Sequence, residues 1–109
     1  LGTADEFVFI RTEVLKVMGV YYWLIGKQRK AIKWWRKSIA EGTRLNDRLE
    51  LSRTYYEVGK RLLEPKSKYK ELDGIKAEDY LEKARVMFEE MDLQWDLDEL
   101  EKLKIQITA

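Results

Sequence analysis

Two glycines set inside long helical patterns constrain this chain more than any other feature. The first stands in L15-x-x-M18-G19-x-x-Y22 and the second in Y55-x-x-V58-G59-x-x-L62. Glycine in a helix interior costs roughly 1 kcal/mol against alanine, so each must be offset by packing. A residue without a Cβ allows a neighbouring helix to come close. A second patterned run follows each glycine. After a turn the chain reads A31-x-x-x-W35-x-x-S38 in the first case and A77-x-x-x-L81-x-x-A84 in the second. Small, large and small residues recur on one face.

The rest of the chain agrees with helices throughout. Its 109 residues contain one proline, Pro65, and six glycines, while Leu, Glu, Lys and Arg abound. Five helices are expected. The first runs from about Ala4 to Ile25 and stops at Gly26. The second runs from about Arg29 to Glu41, with Gly42 near its C-cap. The third runs from about Asp47 to Leu63, with Asp47 or Asn46 as N-cap and Pro65 closing it. A polar loop, P65-K-S-K-Y-K-E-L-D-G74, precedes a fourth helix from about Lys76 to Met91. A fifth spans about Leu97 to Ile107. No segment alternates with period two for long, so no sheet is expected. The fold class is all-α.

Composition removes several chemistries. There is no Cys and no His, so thiolate metal sites, disulfides and the commonest general base are all absent. A cytoplasmic setting fits. The acids of D92-L-Q-W-D-L-D-E99 lack the glycine and alternating spacing of a calcium loop. Asp96, Asp98 and Glu99 read better as first-turn residues near the positive end of a helix dipole. No metal, no cofactor and no catalytic residue are expected. The longest charge-free run, Val17 to Gly26, is far short of the ~20 residues of a membrane span. The N-terminus has no secretory-signal pattern and no Met, and reads as the start of a fragment of a longer protein.

Formal net charge is +1, but it is polarised. Residues 1–60 hold 12 basic and 7 acidic groups, whereas residues 78–109 hold 4 basic and 10 acidic ones. Helix one is unusual in another way. Between Val14 and Gly26 its only charged residue is Lys16. Leu15, Met18, Gly19 and Tyr22 form one face; Val14, Val17, Tyr21, Leu24 and Ile25 cover much of the other. A helix apolar all round needs cover on several sides. Either a preceding repeat or a second copy, in a homodimer through the first helix, would supply it.

The repeated unit resembles the tetratricopeptide repeat, a helix–turn–helix element of about 34 residues. The likeness covers about Arg11 to Asp92. Gly and Ala are twelve residues apart in the first unit and eighteen in the second, whose turn carries six extra residues around Pro65 to Gly74. Where the family pattern ends in Pro, this chain has Thr43 and Glu89. The resemblance implies a single domain built as a short right-handed solenoid of antiparallel helix pairs, with Gly19 meeting the helix that bears Ala31 and Trp35 and Gly59 the helix that bears Ala77 and Ala84. Its first pair would be about 4–43, its second about 46–91, and its capping helix about 97–107. A narrower likeness lies in Y80-L-E-K-A-R-V-M-F-E-E-M and K30-A-I-K-W-W-R-K-S-I-A-E-G. These look like the degenerate repeats ending large bacterial signalling proteins, in which a class III nucleotide cyclase or kinase and an ATPase module precede a helical tail.

By family register, helix residues pointing away from the partner helix line a concave binding wall. These are Glu13, Lys16, Val20 and Trp23 in helix one, and Arg53, Tyr56 and Lys60 in helix three. Arg53, Tyr56 and Lys60 form a polar stripe suited to a peptide or carboxylate. Trp35 belongs to the core, and Trp34, at the rim of helix two, is a candidate partner contact. The block Lys27 to Lys37 holds six basic residues and no acid. It reads as the solvated back of helix two; contact with nucleic-acid phosphates is the alternative. The expected function is non-catalytic docking onto a protein, a peptide or another domain of the same chain. The parent is expected to be a bacterial signalling or regulatory protein, with no role for a membrane.

Overall fold

The computed structural model describes the backbone of residues 2–108 and the side chains of residues 11–108. Among these residues the chain is all-α, with five helices and one two-residue hairpin ladder. The helices are α1 (Gly2–Leu24), α2 (Gln28–Arg44), α3 (Arg48–Leu62), α4 (Ala77–Glu90) and α5 (Gln94–Thr108). Strands β1 (Glu71–Leu72) and β2 (Ile75–Lys76) lie between α3 and α4. The chain divides into two compact units at Thr54 and Tyr55.

In the first unit α1 and α2 run antiparallel across a short turn. Trp23 and Trp35 pack with ring centroids 5.5 Å apart near the turn. Further away, Ser38 donates to the Thr12 carbonyl at 3.3 Å. Ala31, Ile32, Trp35, Ser38 and Gly42 are buried on α2, the face its periodicity marks. The expected approach at Gly19 is present. A Cβ built there would fall inside van der Waals range of the Trp35 indole, 2.8 Å from Cε2. Gly42 does not cap α2. The helix continues to Arg44, and Gly42 sits in its last turn, where a Cβ would meet the Leu51 Cβ at 3.2 Å.

Three helices end with one device. At α1, Lys27 N–H donates to the Tyr22 carbonyl and Gly26 N–H to that of Trp23, with Gly26 at φ +84°. Asp47 and Asn46 repeat this pair of bonds on Gly42 and Thr43, and Leu93 and Asp92 repeat it on Phe88 and Glu89. Asn46 and Asp92 stand at φ 53° and 57°. This is the left-handed position that comes after a helix end, open to Asn and Asp as well as Gly. Asn46 thus closes α2, and the N-cap of α3 is Asp47, whose Oδ1 accepts the Glu50 N–H at 3.3 Å.

Unit two repeats the theme with different residues. Gly59 lies under α4: an added Cβ would be 2.7 Å from Leu81 Cγ and 2.9 Å from the Ala77 carbonyl oxygen. Leu81, Ala84 and Phe88 of α4 join Leu100 and Leu103 of α5 in a buried cluster. The polar stretch after Pro65 contains the one departure from the expected fold class. Glu71 pairs with Lys76 and Leu72 with Ile75 in antiparallel register. The cause is the dipeptide Asp73-Gly74, both at positive φ, 52° and 78°, which suits a two-residue hairpin turn. The hairpin is tied to α4, because Tyr80 Oη donates to the Leu72 carbonyl at 2.7 Å.

These contacts predict unequal costs for glycine substitutions. Ala at position 19 gains up to about 1 kcal/mol of helix propensity, but overpacking costs about 1–3 kcal/mol or more. Trp35 is wedged against Trp23 and the Ala77 carbonyl is main chain, so neither yields readily. Gly19→Ala and Gly59→Ala should each lose about 2 kcal/mol of unfolding free energy in urea denaturation. Gly26→Ala meets no atom within 4 Å and should lose only the left-handed backbone cost of about 1–2 kcal/mol.

Candidate docking surfaces

The concave-wall residues of unit one have separate fates. Glu13 is exposed and Val20 is partly buried. Lys16 reaches back to Glu50, with Nζ to Oε2 2.8 Å and little solvent on either side chain. Its ammonium is a strut between α1 and α3, not a free hand for a partner. Trp23 corrects the expectation outright. It is 0% exposed, packed on Trp35, and cannot line a binding wall. The reason lies in the spacing: Trp23 is four residues past Gly19 and eight past Leu15, so all three share the core face. Arg53 is partly buried.

Beneath these residues lies a buried polar chain. Thr54 Oγ1 donates to the Glu50 carbonyl at 2.8 Å and pairs with Ser38 Oγ at the same distance. Ser38 also faces the Thr12 carbonyl. Three helices of the unit are thereby joined by hydroxyls with their polar atoms satisfied. The Trp35 Nε1 proton has no acceptor, at a cost of about 1–3 kcal/mol that ring burial must exceed.

Trp34 behaves as a rim residue. Its ring stacks on Tyr22 with centroids 6.3 Å apart and planes 13° from parallel. Lys37 Nζ lies 4.8 Å from the Trp34 centroid, and Lys30 Nζ 5.3 Å from that of Tyr22. Both rings are partly exposed. Lys27, Arg29, Lys30, Lys33, Arg36 and Lys37 are all exposed, as the back of α2. An aromatic plate edged with ammonium groups results. It can receive carboxylates beside an apolar contact.

In unit two, Tyr56 and Lys60 are partly buried, with Lys60 Nζ 5.9 Å from the Tyr56 centroid. The Tyr56 ring packs toward Phe88, centroids 6.3 Å apart, and its hydroxyl donates to the Glu99 carbonyl at 3.5 Å. Tyr56 thus serves the joint between α3 and α5 as much as any surface. Arg61 next to it is held by Glu57 at 3.1 Å and Glu64 at 2.8 Å. A cavity of about 300 Å³ opens elsewhere in this unit. Leu63, Leu81 and Ile107 line it, with Glu78, Glu82 and Lys104 also on its wall. Residue spacing gives no sign of it, because its walls come from three segments far apart in the chain.

Asp96, expected in the first turn of α5, is there and buried. Among the described residues no cluster of acids could hold a metal ion. No helix there is long and apolar enough to cross a membrane. Comparisons with protein-family models, with curated proteins and with solved structures gave no significant match.

Burial, aided by Glu57 and Glu99, pushes the Tyr56 phenol up to about 12. In the unfolded chain it would titrate near 10. The folded state therefore binds the extra proton between these values, and its stabilising effect is complete below pH 10 and lost as pH rises toward 12. The denaturation midpoint should fall across this interval. In Tyr56→Phe the fall should be smaller, and the ultraviolet titration should lose one late-ionising tyrosine.

Proposed function

We propose that this chain is a non-catalytic docking module of a larger bacterial signalling or regulatory protein, of tetratricopeptide-like, short-solenoid character. It engages a protein, a peptide or another domain of the same chain in the cytoplasm. The reading is supported by the glycine contacts that hold helices close, since packed helices present side chains without losing much order on binding. The observation that carries it is the Tyr22–Trp34 plate with Lys30 and Lys37 over its rings. Aromatic and cationic groups of this kind anchor protein interfaces. An acidic segment with an apolar residue is the complementary partner.

One observation favours a second reading, nucleic-acid binding: all six basic residues of 27–37 are solvent-exposed. Against it, the ring faces of Tyr22 and Trp34 already carry each other and an ammonium, which compete with a stacking base. Binding of single- and double-stranded DNA over a salt series separates the two. Docking predicts weak binding, equally weak after Lys30→Glu, Lys33→Glu and Lys37→Glu. A steep salt slope abolished by that triple change would transfer the assignment to nucleic acid. The parent is tested by the surrounding reading frame, expected to encode a cyclase or kinase domain and an ATPase module.

A further inference from the structure

The aromatic plate on α2 has its chemical complement elsewhere in this chain. Residues 27–37 hold six basic groups and no acid, whereas residues 89–101 hold seven acids and no base. Each block presents a tryptophan. Trp34 stacks on Tyr22, with Lys30 four residues before it and Lys37 three after. Trp95 is 69% exposed and stands at the start of α5. Asp98 and Glu99, three and four residues on, share its side of the helix. Asp98 is exposed, and its Oδ1 accepts from the Gln94 amide at 2.9 Å. Asp92 and Glu101 are exposed as well.

The core does not account for Trp95. α5 packs on α4 through Leu97, Leu100 and Leu103, and Trp95 is left outside among acids. Tryptophan is on average a well-buried residue. An exposed ring beside carboxylates matches what the plate can receive: an apolar surface for its stacked rings and anions for its two ammonium groups. Lys30 and Lys37 lie about one turn to either side of Trp34, and Asp98 and Glu99 lie one turn beyond Trp95. Contact between the two tryptophans therefore brings opposite charges within reach. A formal net charge of +1 adds no general repulsion between copies.

We propose that the Tyr22–Trp34 plate of one copy takes the Trp95 face of a second copy of this chain, with Lys30 and Lys37 meeting Asp98 and its neighbouring acids. This rests on the docking reading of the plate and names its partner. The two patches differ, so each contact leaves one patch of each kind unused, and assembly continues into a ring or a chain. Sedimentation equilibrium of the 109-residue chain should give an average mass that climbs with concentration and falls as salt rises from ~50 to ~500 mM. Lys30→Glu with Lys37→Glu, and separately Trp95→Ala with Asp98→Lys, should each weaken association at least about 100-fold, because charge reversal sets like charges together. Helical circular dichroism should persist in both, since all four side chains are exposed. Mixed one to one, the two variants should form a dimer and nothing larger, one supplying the plate and the other the Trp95 face. A wild-type chain monomeric up to ~100 μM would overturn the proposal. So would a mixture that does not pair, or association that persists in either variant alone. A synthetic acidic peptide with one tryptophan and a sequence unlike 89–101 separates this proposal from the docking reading. Its binding to a monomeric wild-type chain, lost in Lys30→Glu with Lys37→Glu, would keep the plate as a docking surface and remove only the second copy. A monomeric chain that leaves the peptide unbound would remove both.

Discussion

The contact between Trp35 and Gly19 governs the first half of this chain. It fixes how near α1 and α2 come, and with that which residues are inside. Trp23 is drawn in against Trp35, and Ser38 is brought within reach of Thr12 and Thr54. Burial of so large a ring is what makes an unsatisfied indole N–H tolerable. Truncation of a buried Trp typically costs about 3–5 kcal/mol, more than the roughly 1–3 kcal/mol of a lost hydrogen bond. Gly59 under Leu81 has the same role in the second unit, without an aromatic ring and with a backbone carbonyl as its limit.

Much of this was legible in residue spacing. Glycine between large residues, then small, large and small across a turn, is a local pattern with one inexpensive packing solution. Helix termini were nearly as readable, except where Asn46 and Asp92 took a position usually given to glycine. Those residues are ambiguous in sequence because both also favour N-caps. The hairpin at Asp73-Gly74 is hidden in sequence by its brevity: two residues per strand cannot show alternation. Its turn dipeptide was nevertheless a signal in plain view.

Function was less legible, for a physical reason. Assigning Trp23 and Lys16 to a binding wall relied on register taken from a family pattern, whereas burial depends on what each chain's own neighbours fill. Trp23 lies inside because it shares the face of Gly19; Lys16 is engaged because Glu50 happens to reach it. The plate formed by Tyr22 and Trp34 depends on two residues twelve apart meeting across a turn. Spacing can suggest that meeting, but only the packed pair sets the ring planes. The same holds for the cavity beside Leu81, whose walls assemble from α4, α5 and Leu63, just after α3.

The hairpin carries a practical consequence. Its tip, Asp73-Gly74, is exposed, and a Cβ added at Gly74 would meet nothing within 4 Å. Its base is secured by the bond from Tyr80 to Leu72. Foreign sequence spliced in at the tip would begin and end at neighbouring points in space and would disturb only the two-residue ladder. The hairpin is therefore a natural attachment site for a reporter peptide or fluorophore-bearing loop, remote in sequence from α1 and from the aromatic plate.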